Sequence, residues 1–207
     1  MAIIETKVVA RNSTSIPFFS QTDNPKLVEL KAEFGTFTWI TNTATYQKST
    51  NASGSHVIER TYSEDLLTQT TKMTFDSLAT WSEIDTLTGI ALDNEYKNYI
   101  ETNEFVQMDS GQYAVTGIDT PFTCTTTYNY TSGITEGYPL FESFISVIEV
   151  SDKLTSFTNT GTQLIAVHTY DNSADFSENH WKDFIYVTSL HTGGITRTIS
   201  YASVSTP

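Results

Sequence analysis

The feature that most narrows what this chain can fold into is an alternation of period two. Leu67, Gln69, Thr71, Met73 and Phe75 interleave with Thr68, Thr70, Lys72 and Thr74. Successive side chains of a strand point to opposite faces, so Leu67, Met73 and Phe75 are expected to face a core while the threonines face outward. The same rhythm returns at Phe122, Cys124, Thr126, Tyr128 and Tyr130. Threonine is β-branched and fits a pleated, half-exposed surface. Ser and Thr together supply about a quarter of the 207 residues, so the whole chain leans toward sheet.

The flanking segments fill out the first half. Ile3 to Ala10 reads as a strand. Asn24, Pro25, Leu27, Leu30, Phe34 and Gly35 supply the N-cap, first-turn proline, helical spacing and stop of a helix. Phe37 and Trp39 then alternate with threonines, and the run continues to Tyr46. Gln47 to Ser55 reads as a polar loop and His56 to Tyr62 as another strand, which Ser63-Glu64-Asp65-Leu66 turns back in a hairpin. Asp76 or Ser77 caps a helix bearing Leu78, Trp81, Ile84 and Leu87. Gly89 interrupts it, and Leu92 to Thr102 forms a second helical piece with Leu92, Tyr96, Tyr99 and Ile100 on one face.

The order strand, helix, strand, hairpin, helix, strand is close to a split βαβ unit. The expected fold class is therefore α+β: an antiparallel sheet with helices on one face, ferredoxin-like in its first half, followed by a mostly β second half. From Gln112 onward strands dominate, at 113–117, 122–130, 144–150, 164–170, 184–190 and 195–201, with a Gly193-Gly194 turn before the last. The expected division is an α+β portion over 1–110 and a mostly antiparallel β portion over 111–207; a long extension of one sheet would read the same way.

Charge restricts the partners. The chain carries 11 Lys and Arg against 24 Asp and Glu, a formal net charge of −13 at pH 7. That balance opposes a grip on nucleic acid through phosphate neutralisation, and no run of basic residues offers a binding stripe. No basic N-terminal region precedes a long apolar run, and no segment approaches the roughly 18 apolar residues of a membrane span. The expectation is a soluble protein made in the cytoplasm, with no direct nucleic-acid or membrane partner. Hydroxyls replace charges on much of the surface, and neutral hydroxyls are cheaper to bury at a permanent contact than Lys or Glu.

Sites of chemistry are sparse. Cys124 is the single cysteine, so no internal disulfide forms, and its place among aromatics reads as a buried thiol acting as a small hydrophobe. His56, His168, His180 and His191 do not pair at zinc-site spacing, and HExxH, CxxC, GxSxG and glycine-rich phosphate loops are missing. The nearest constellation is His168, Asp171, Asp175 and His180, which would converge if the loop from Asp171 to Asn179 folded back; it lacks the glycine and distal glutamate of a calcium loop. Glu64-Asp65 and the pair Asp93 and Glu95 read as turn and exposed-helix acids. No catalytic, cofactor-binding or metal-binding residue is assigned, and no enzyme activity is expected. Trp39, Trp81 and Trp181 read as core or interface anchors.

Two resemblances follow from the hairpin. The stretch from Val57 to Phe105, with Glu59-Arg60-Thr61-Tyr62-Ser63, Leu67-Thr68, Thr74-Phe75-Asp76-Ser77 and the Tyr96 to Tyr99 helix, resembles small virion proteins of marine and enteric tailed bacteriophages. The same unit resembles in architecture the dimeric ferredoxin-like barrel of antibiotic-biosynthesis-type monooxygenases, without that family's functional residues. The first resemblance implies a virion structural protein, a tail, neck, baseplate or capsid-decoration component, located in the virion and touching copies of itself and other virion proteins in a symmetric homo-oligomer. Two alternatives stand beside it: a ferredoxin-like dimeric enzyme or ligand-binding protein with a pocket holding His56, and a carbohydrate-binding host-attachment module, whose sign would be an exposed row among Tyr113, Tyr128, Tyr130 and Tyr138.

Overall fold

The computed structural model describes residues 1–15, 18, 37–84, 105–107, 113–130, 151–179 and 196–204, with backbone alone at 105–107, 113, 196 and 197. Within them the chain is mostly strand. The first seven strands are β1 (Ile3–Arg11), β2 (Thr38–Asn42), β3 (Tyr46–Thr50), β4 (His56–Tyr62), β5 (Thr68–Phe75), β6 (Phe105–Gln107) and β7 (Tyr113–Thr116). They form one antiparallel sheet in the order β2-β3-β4-β5-β1-β6, with β7 pairing β1 beyond β6 along the same edge. Four more strands, β8 (Phe122–Asn129), β9 (Leu154–Asn159), β10 (Gln163–Tyr170) and β11 (Thr196–Ser203), form a second antiparallel sheet in the order β11-β8-β10-β9.

This arrangement overturns the α+β expectation. The described residues make two antiparallel sheets with two short helices, α1 (78–84) and α2 (173–179), and not a ferredoxin-like sheet carrying helices on one face. The cause lies in residues 43–50. Read as the tail of one strand followed by a loop, they are a second hairpin: Thr43 N–H donates to the Tyr46 carbonyl at 2.9 Å, and Tyr46 N–H returns a bond to Thr43 Oγ1 at 3.0 Å. Strands β2 to β5 therefore run as a meander, and β5 returns beside β1, where a split βαβ unit would need a crossover. The helices expected at 24–34 and 92–102, and the strands expected at 144–150 and 184–190, fall outside the described residues.

Local chemistry explains the elements that agree. In β5, Phe75 is buried, Met73 packs on the core and Lys72 is exposed, as the alternation requires. The turn into β5 places Leu66 at φ 58°, a left-handed conformation that costs a non-glycine residue about 1–2 kcal/mol. Leu66 packs against the cluster of Val9, Phe18 and Tyr62, and its carbonyl accepts a 2.8 Å bond from Arg11 Nε, which offsets that strain. Ser77 caps α1, with Thr80 N–H donating to its Oγ at 3.2 Å.

One apolar cluster draws on both sheets and both helices: Ile3, Phe75 and Val115 from the first, Phe122, Cys124, Tyr170, Ile199 and Tyr201 from the second, Trp81 and Ile84 from α1, and Phe176 from α2. Trp81 sits at its centre, fully buried. It stacks on Tyr201 with ring centroids 3.7 Å apart and planes 5° from parallel, and meets Phe176 edge-on at 5.5 Å. Its indole N–H donates to Glu5 Oε2 at 3.0 Å, and Tyr201 N–H donates to Ser82 Oγ at 2.9 Å, so α1 is fastened to β1 on one side and β11 on the other. Helix α2 fastens to the connector, where Ser173 N–H donates to the Ile118 carbonyl at 2.8 Å, and to β7 through Ser177. Gly117, at φ 95°, opens that connector, and a Cβ there would run into the Ala2 carbonyl.

Two substitutions test this join. Trp81→Phe keeps a ring but strands a buried carboxylate oxygen, and is expected to lower unfolding free energy in urea by about 1–3 kcal/mol. Gly117→Ala adds backbone strain and a clash, with an expected loss of at least about 1–3 kcal/mol by the same measurement; a neutral Gly117→Ala would contradict the close approach to Ala2.

Candidate functional site

The inward face of the first sheet is layered by cross-strand register. His56, Phe75 and Ile3 form one row; Ser49, Ile58, Met73, Glu5 and Val115 the next; Gln47, Arg60, Thr71 and Lys7 the third; Tyr62, Gln69 and Val9 the fourth. A polar belt thus lies between apolar ends. Its groups answer one another: Tyr62 OH donates to Gln47 Oε1 at 2.8 Å, Gln69 Nε2 donates to Tyr62 OH at 3.0 Å, and Thr71 Oγ1 donates to Gln69 Oε1 at 3.3 Å. Glu5, 1% exposed, has one oxygen on the Trp81 indole and the other 2.6 Å from Lys7 Nζ. Fastened through Oε2 to the fixed indole donor and paired in charge with Lys7, this carboxylate serves as an anchor for α1.

His56 belongs to the same packed layer. It is 3% exposed, stacks on Phe75 at 4.8 Å and 17°, and takes the edge of Phe37 at 5.3 Å; neither ring nitrogen has a hydrogen-bond partner among the described residues. Burial pushes its pKa down to about 4, against the opposing charge of Glu5 and with a smaller push from Arg60. The ring is therefore neutral near pH 7 and packs as an aromatic. His168 is held down to about 4 by burial alone, in the inner face of the second sheet.

The constellation expected at 168–180 does not assemble. Residues 173–179 are helix, not loop, because Asn172 Oδ1 accepts the N–H groups of Ala174 and Asp175 at 2.9 and 3.0 Å. The Asp175 carboxylate is taken by Lys153 Nζ at 2.8 Å, Asp171 N–H at 2.9 Å and Asn179 Nδ2 at 2.6 Å. His168 points into the core opposite Cys124 on β8, and His180 and His191 lie outside the described residues. Among the described residues no three His, Cys, Asp or Glu side chains gather to hold a metal ion. Cys124 is buried beside Phe122, as the alternation implied. Tyr128 and Tyr130 are 3% and 6% exposed, so they belong to the interior and supply no row for a sugar; Tyr138 and the Tyr113 side chain lie outside the described residues.

Strand β2 is different in kind. Among the described residues it is the outer strand of its sheet, paired only with β3. The register slips between Trp39 and Thr41, a bulge that leaves Ile40 without a partner of its own. Trp39 and Ile40 are exposed, by 50% and 58%, in a strand of which only Thr41 is partly buried. From Phe37 to Gln47 the chain contains no charged residue. The site offers an indole, a branched aliphatic side chain and an edge of backbone N–H and C=O groups, which is the chemistry of association and not of proton transfer. Trp39 is one of the expected core or interface anchors; Ile40 is not among them, although an apolar residue directly after Trp39 breaks the alternation with threonine.

No protein-family model matches the chain, and no curated protein matches it. Among solved structures it is similar to a crystal structure of an unknown protein from Galdieria sulphuraria, at 6% identity and a TM-score of 0.27 over 97% of this chain and 98% of that one. A likeness at that level carries nothing about fold or function.

The two buried histidines set an acid limit. An unfolded histidine titrates near 6.5, so the unfolded chain takes up protons that the fold refuses. Stability is full above about pH 6.5 and falls toward pH 4, by about 3 kcal/mol per histidine over that window. His56→Phe is expected to retain the stacking and flatten the decline in urea midpoint between pH 7 and pH 4.5; an unchanged decline would rule out the buried neutral ring as its cause.

Proposed function

We propose that this chain is a structural subunit of a larger assembly, a virion component of a tailed bacteriophage such as a tail, neck, baseplate or capsid-decoration protein. It acts by presenting surfaces to copies of itself and to other virion proteins. The observation that carries the structural part is the β2 edge, where Trp39 and Ile40 stand exposed in an uncharged stretch. Large apolar side chains exposed on an outer strand are the kind of surface through which chains associate. The hydroxyls of Thr50, Thr61, Thr68, Thr70 and Thr74, which alternate with the inward-facing residues of the first sheet, support the same reading, since hydroxyls are readily buried at a contact. The bacteriophage part is supported by the resemblance of the segment from Val57 to Phe105.

The sugar-binding reading loses its support with Tyr128 and Tyr130 in the interior. The ferredoxin-like enzyme loses the frame that would have formed its pocket. Sedimentation velocity and light scattering on the purified full chain at tens of micromolar are expected to show a discrete oligomer. A strict monomer that turned over a small substrate would overturn the proposal.

A further inference from the structure

We draw no further inference here: the strongest candidate, the outer face of the second sheet, where Thr123, Thr125 and Thr127 of β8 stand beside Ile165 and Val167 of β10, carries nothing because nothing in the structure shows what covers it.

Discussion

The hydrogen bond from the Trp81 indole to Glu5 holds the middle of this molecule. It links residues 76 positions apart and brings α1 down onto β1 of the first sheet. Burying a carboxylate costs several kcal/mol unless donors replace its water. Here the indole and the Lys7 ammonium take the two oxygens, and the same indole ring stacks flat on Tyr201 of the second sheet. A single side chain thus satisfies a buried charge and forms the apolar bridge between the sheets. Phe122 and Phe176 pack against it, and Tyr170 packs on both of them.

With the join fixed, the first sheet extends away from it strand by strand, from β1 through β5, β4 and β3 to β2. Burial falls toward the outer strand: β1 carries the most buried residues, β5 and β4 each keep a buried pair, β3 has only Ser49, and β2 none. The periphery is the place where a bulge is tolerated, because no core residue depends on the register there. Most of β2 is exposed there, a large indole and an isoleucine included. Rigid centre and presenting edge are thus two ends of one gradient of burial, and the proposed assembly role depends on the gradient more than on any one residue.

How much was legible varied with locality. The hairpin of β4 and β5 could be read because its turn, its alternation and its helix entry at Asp76-Ser77 all lie within about twenty residues and agree. Strand β3 could not, since Gln47, Lys48, Ser49 and Thr50 have the composition of a loop, and only pairing with β4 makes them a strand. Strand β9 was missed for the same reason. Residues 173–179 looked like an acidic loop because Asp171, Asn172 and Asp175 are turn formers; Asn172 instead caps a helix, and Asp175 closes it against Lys153. The candidate cation ligands disappeared with that change.

By itself the sequence determined the sheet-rich character, the outward threonines and the burial of Cys124, since alternation and β-branching act between near neighbours and need no knowledge of distant partners. It also determined that the stretch around Trp39 carries no charge. The tertiary structure alone decided that β5 returns to β1, that Glu5 is a buried anchor, that His56 is a neutral ring between aromatics, and that β2 ends the sheet with its apolar pair exposed. Each of these depends on antiparallel pairing or packing between segments far apart in the chain. Turns and alternation fix the register within a hairpin such as β4 and β5, whereas the pairing of β5 with β1 joins segments far apart in the chain, which no local pattern specifies.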